Sequence, residues 1–145
     1  MNPINVTRTI RAPKEKVWNI ISDMDKETQF WHGTKNIKII NKKDNVVERE
    51  VIIAFRNSKC IETVTLTPTE SIDVLIKSGP FRGTKNIHLK EVDQSLTEVN
   101  VLWNIKLNGI LSIFDSMVKK HITRGTVEAL QRILQEGEKE NATLV

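Results

Sequence analysis

The sequence contains no tyrosine, a single cysteine and no apolar run long enough to span a bilayer. A membrane helix needs about 20 such residues, so none is expected. Cys60 alone cannot form an internal disulfide, and in a strand it reads as a small hydrophobe. Without tyrosine there is no phenolic acid for proton transfer. The three histidines, His32, His88 and His121, stand far apart in the chain. There is no cysteine–histidine cluster with zinc spacing, no glycine-rich phosphate loop and no G-x-S-x-G elbow. Neither a metal nor a cofactor is expected. The N-terminus lacks the basic-then-apolar pattern of a secretory signal, and the expectation is a cytoplasmic protein.

What is present describes one globular domain over residues 1–145, with a frayed tail expected from about 139. At 145 residues the chain buries about 70% of its unfolded surface, enough for a core and a cavity within it. The formal charge of +4 raises nucleic acid as a partner, but the cations are interleaved with acids. The densest groups, "TKNIKIINKK" and "KKHITR", lack the aromatic interleaving of a single-strand binder. A solvated mixed surface is therefore expected, and nucleic acid is not the main partner.

The order of elements follows from periodicity. "INVTRTI" alternates, with Ile4, Val6, Arg8 and Ile10 on one face. Pro13 opens a short helix whose buried side is Val17, Trp18, Ile20 and Ile21, and "DMDKETQF" forms a second before Gly33. Six segments rich in Val, Ile and Thr follow: "NIKII", "VVEREVIIAF", "CIETVTLT", "SIDVLIKS", "TKNIHLKEV" and "LTEVNVLWNIKL". Short turns such as "KKDN", "RNSK", "TPTE" and "SGPFRG" separate them, which implies an antiparallel meander. After Gly109 the period changes to about 3.6, with Leu111, Phe114, Val118, Ile122, Gly125 and Ala129 on one face, continued with some drift by Leu130, Ile133 and Leu134. A sheet with one apolar face must bury it. The prediction is an α+β helix-grip fold, a curved seven-stranded antiparallel sheet around a long C-terminal helix, with two short helices after the first strand.

Specific stretches carry a resemblance. "IRAPKEKVWNIISD", the aromatic pair Phe30–Trp31, the turn "SGPFRG" and the strand "LTEVNVLW" leading to a long amphipathic helix resemble the START-like (SRPBCC) superfamily. Its members include polyketide cyclase/dehydrase-like, coenzyme-Q-binding and birch-pollen-allergen types. The resemblance spans essentially the whole chain. It implies a hydrophobic cavity between sheet and helix, used by relatives for lipids, sterols, quinones, polyketides or plant hormones. A few relatives catalyse reactions there, and others are interaction modules.

In a meander the "RNSK" and "GPFRG" turns and the "LNG" junction lie at one end, opposite the two short helices. That end is the expected mouth, with Phe55, Phe81, Trp103 and Phe114 near or lining it. Trp103 should point towards the helix, whereas Trp18 and Trp31 read as structural. Val118, Ile122 and Gly125 would line the cavity from the helix, Gly125 either making room for a ligand or easing packing. His121 flanks that stripe, placed to bind a ligand oxygen or to transfer a proton, or else to meet solvent. Arg49 and Glu62 sit at inward positions of their strands, able to pair across them. The expected function is binding or transport of a small hydrophobic ligand. One alternative is a cyclase or dehydratase using His121 with Glu62. The other is a protein or ribonucleoprotein interaction module.

Overall fold

In a computed structural model, the chain is described over residues 1–143, with side chains placed through residue 139. Of the tail expected to fray from about 139, residues 139–143 continue helix α3, and 144–145 lie outside the described residues. Strand β1 (Ile4–Ile10) leads into helices α1 (Lys14–Ile21) and α2 (Glu27–Phe30). Strands β2 (Thr34–Lys43), β3 (Val46–Ile53), β4 (Ser58–Thr67), β5 (Ser71–Ser78), β6 (Phe81–Asp93) and β7 (Leu96–Leu107) follow. Helix α3 spans Asp115–Thr143. The seven strands form one antiparallel sheet in the order β1-β7-β6-β5-β4-β3-β2. This is the predicted helix-grip arrangement. Among the described residues no helix is long and apolar enough to cross a membrane.

Alternation built the sheet. Thr97, Val99, Val101, Ile105 and Leu107 of β7 are buried on the face that Trp103 shares, and β1 lies alongside in register from Ile4–Trp103 to Ile10–Thr97. The inward rows of β3, β4, β5 and β6 continue that face. The Phe55–Asn57 and Gly79–Pro80 turns and the exit of β7 share one end of the sheet, as the pairs Ile53–Ser58 and Phe81–Leu107 require.

Two segments depart from the expected pattern. The "SGPFRG" turn is shorter than it reads, because Arg82 and Gly83 already belong to β6. Gly83 has φ +142°, and a Cβ there would meet the Asn104 carbonyl oxygen of β7 at 2.1 Å. Only glycine lets the two strands approach so closely.

The second departure is on α3. A turn of 3₁₀ helix, Gly109–Phe114, precedes it, so Leu111 and Phe114 do not share the angular count of the α-helical residues that follow. The buried residues are Val118, Thr126, Ala129, Leu130 and Ile133. Gly125 is exposed, with no atom within 4 Å of where its Cβ would stand. The glycine that packs is Gly137, whose Cβ position lies 3.0 Å from Ile10 Cγ2.

These two glycines predict opposite outcomes in chemical denaturation. Gly125→Ala should raise stability by up to about 1 kcal/mol, the helix-propensity difference. Gly83→Ala should cost at least about 1–3 kcal/mol, because a backbone atom stands in the way. Equal effects would contradict both the exposure of Gly125 and the strand approach at Gly83.

Candidate functional site

The concave face of the sheet carries an unusual load for a core. Arg49 on β3 is 4% exposed, and Glu62 and Lys85 are buried beside it. A charge moved out of water must be paired and hydrogen-bonded to be tolerated. Arg49 Nε donates to Glu62 Oε1 at 2.9 Å, across the β3–β4 register pair. Its two terminal nitrogens donate to both oxygens of Glu27, each at 2.9 Å. That bidentate fork fastens the short helix α2 onto the sheet.

Lys85 completes the group. On β6 it is registered between Val74 of β5 and Trp103 of β7. Its ammonium lies 3.3 Å from the centroid of the Trp31 ring and 4.9 Å from that of Trp103. The two indoles meet edge to face, with centroids 6.4 Å apart. A cation on aromatic faces gains most where water is excluded, and here the direct contacts of the ammonium are ring faces, with Glu27 and Glu62 acting on it from further off. Two cations and two carboxylates leave the group with no net charge when all four are ionised.

Burial shapes the titration of each cation differently. Desolvation is the largest influence on Lys85 and lowers its pKa to about 8, against the pull of Glu27 and Glu62, with Arg49 adding to the lowering. Desolvation also opposes the charge on Arg49, but Glu27 and Glu62 outweigh it and its pKa is raised. The nearby Cys60 thiol is pushed up to about 11 by burial and then by Glu62, so it is not a reactive thiolate.

Beside Lys85 lies a void of about 10 Å³. Glu27 and Trp31 border it from the helical side, with Arg49, Lys85 and the aliphatic side chains of Val64, Leu66, Ile72, Val74 and Ile87 on the sheet. It is at the threshold for a single water, where a drug-sized ligand takes about 300–1,000 Å³. Arg132 ties α3 to the end of α2 over this region, donating from Nη1 to the Phe30 carbonyl at 2.8 Å.

The structure distributes the sequence-selected residues over three places. Arg49 lines the void, Glu62 pairs with Arg49, and Trp103 touches Lys85. Trp103 does point at the helix, its Nε1 donating to Thr126 Oγ1 at 3.0 Å. Phe81 and Val118 are buried away from the void, and Phe55 and Ile122 are half-buried. Phe114, His121 and Gly125 are exposed: Phe114 lies in the 3₁₀ turn, and the buried face of α3 centres on Thr126, Leu130 and Ile133 and leaves His121 and Gly125 outside it, so His121 and Glu62 are not brought together.

Three residues of the cluster were not named as site residues from the sequence. Trp31, read as structural, both borders the void and carries Lys85. Lys85 shares the inward parity of Ile87 and Leu89 within "TKNIHLKEV", a legible signal. Glu27 stands on a four-residue helix with no period to read. His32 and His88 are exposed, and among the described residues no three potential ligands gather to hold a metal.

Comparison with known proteins places this geometry. The family described as polyketide cyclase/dehydrase and lipid transport matches residues 10–130. A relative, the ribosome association toxin RatA of Rickettsia prowazekii (strain Madrid E), is 24% identical over 126 residues, covering 83% of this chain and 85% of its own. Among solved structures, the ZhuI aromatase/cyclase of Streptomyces sp. R1128 superposes with a TM-score of 0.84 at 15% identity, over 95% of this chain and 94% of that one. A START superfamily protein of Mycobacterium smegmatis does so with a TM-score of 0.74 at 15% identity, over 92% and 97% of the two chains. At these identities the solved structures speak for the fold alone.

The cluster predicts two results. Arg49→Met leaves Glu27 and Glu62 buried without their cation and should cost about 3–5 kcal/mol in denaturant unfolding. For Lys85, folding lowers the pKa, so between about pH 8 and the ordinary value of 10.5 the unfolded chain holds more protons. Stability from this group therefore rises with pH across that window, and its burial cost is felt in full below it. Wild type should gain on Lys85→Met from pH 8 to 10.5, and parallel curves would show that Lys85 is not buried as a titrating amine.

Proposed function

The chain belongs to the polyketide cyclase/dehydrase and lipid transport family, within the START-like superfamily, and on that premise we propose that it binds a small, mainly apolar molecule between sheet and helix. The observation that carries this reading is the composition of the void: an ammonium lying on two ring faces with no direct ion pair, set among aliphatic side chains. That mixture suits a ligand with an apolar body and a single hydrogen-bond-accepting oxygen. Lys85 would donate to that oxygen, and Trp31 and Trp103 would flank it. Arg49 is fully engaged by Glu27 and Glu62, so its part is to hold α2 against the sheet.

Entry then requires the interior to open. The segment that must lift is α2, since Glu27 and the Phe30 carbonyl are its two ties to β3 and α3. Ligand binding would exchange part of those ties for apolar burial at about 25 cal/mol per Å².

A second reading has its own support. A filled interior is what an interaction module acting on a protein or a ribonucleoprotein would have, and the void here is about 10 Å³. A relative bearing the name ribosome association toxin fits that reading as well.

Native mass spectrometry of purified protein, followed by thermal shift and tryptophan emission with quinones, sterols, fatty acids and aromatic polyketides, separates the two. The carrier reading expects a co-purified or added apolar molecule that raises the melting temperature and changes tryptophan emission. Lys85→Met should weaken its binding by about tenfold, the worth of one charge-assisted hydrogen bond. No bound molecule and no shift from any class would overturn it in favour of the interaction module.

A further inference from the structure

The end of the sheet where β7 hands over to α3 carries an apolar ridge that the interior does not use. Ile110 is 79% exposed, Ile113 72% and Met117 58%, with Phe114 beside them. Their spacing of three and four residues lines them up along one side of the 3₁₀ turn and the first turn of α3. Large aliphatic side chains grouped in this way mark a docking surface rather than scattered exposure.

The charge around the ridge identifies what docks. Lys120 and Arg124 are exposed on the same side of α3, one turn further on, and Lys119 is half-buried next to them. At the same end, Arg82 and Lys106 face each other across β6 and β7, Arg56 stands in the turn between β3 and β4, and Lys59 is exposed at the start of β4. Over residues 55–59, 79–82 and 106–124 these seven cations meet one acid, Asp115. That acid is itself occupied by the Met1 amine at 3.4 Å. The modest net charge of the chain conceals this end, because its acids lie elsewhere.

We infer that this end docks on an anionic lipid surface, with Ile110, Ile113, Phe114 and Met117 entering the acyl boundary and the surrounding lysines and arginines meeting the headgroups. An amphipathic segment with large apolar residues and flanking cations binds an interface by both contributions together. A second copy of the chain does not fit, since two basic rims would repel. Single-stranded nucleic acid would use stacked aromatics, and Phe114 is the sole ring on the ridge, which would leave its aliphatic centre uncovered. The inference concerns the outer surface and does not rest on the interior binding a ligand.

Flotation of the full chain with vesicles tests it, using phosphatidylcholine alone and an equal mixture of phosphatidylcholine and phosphatidylglycerol. Binding is expected to the mixed vesicles, to weaken as salt is raised, and to be at least tenfold weaker on phosphatidylcholine alone. The double variant Ile110→Ser/Ile113→Ser should lose at least tenfold in affinity for the mixed vesicles. Lys119→Glu/Lys120→Glu should lose a comparable amount and flatten the salt dependence. Unchanged thermal unfolding of these surface variants shows that the fold is intact. No binding to the mixed vesicles, or equal binding by the Ile110/Ile113 variant, overturns the inference. Binding to poly(U) RNA without binding to either vesicle would overturn it too, assigning the basic end to nucleic acid.

Discussion

The interior of this protein is organised by one guanidinium. Arg49 reaches three carboxylate oxygens on two different elements, and each contact positions something that the chain could not place alone. Helix α2 has only four residues, far too few to be stable by itself, and its bidentate grip on Arg49 sets it against the sheet. That placement puts Trp31, immediately after α2, over Lys85. Trp103 then supports the same ammonium from β7 and hydrogen-bonds Thr126 of α3. A chain of contacts thus runs from β3 through α2 and β6 to the long helix.

Such a cluster is costly compared with an apolar core. A buried ion pair often contributes no more than hydrophobic residues of the same volume, while losing one partner is severe. Its presence beside a void is what the proposed ligand-binding reading draws on. The outer surface divides in the same manner. One end holds an uncovered aliphatic ridge with a basic rim, and the ionic cluster sits deep beneath the opposite cover of short helices.

Much of this was legible in the sequence because strands betray their faces. The inward parity of Arg49 and Glu62 followed from Val47, Val51, Cys60 and Val64, and their pairing follows from the register. Lys85 had the same parity as Ile87 and Leu89, and a rule that asks what every inward charge pairs with would have found it. Glu27 lay beyond such reading, since its position depends on how α2 folds back over the sheet. The helix stripe was read off-centre: the 3₁₀ turn before Asp115 takes Leu111 and Phe114 out of the α-helical count, and the buried face of α3 centres on Thr126, Leu130 and Ile133, which leaves His121 and Gly125 outside it. The extent of the cavity depended on side-chain packing, which no periodicity encodes.

The most direct test of the central claim is a carbon-detected NMR titration of the Lys85 side chain, assigned with Lys85→Met. The account predicts an Lys85 Cε resonance shifted by the ring current of Trp31 and titrating near pH 8. A resonance without that shift, titrating at the ordinary lysine value near 10.5, would contradict the buried cluster on which the rest depends.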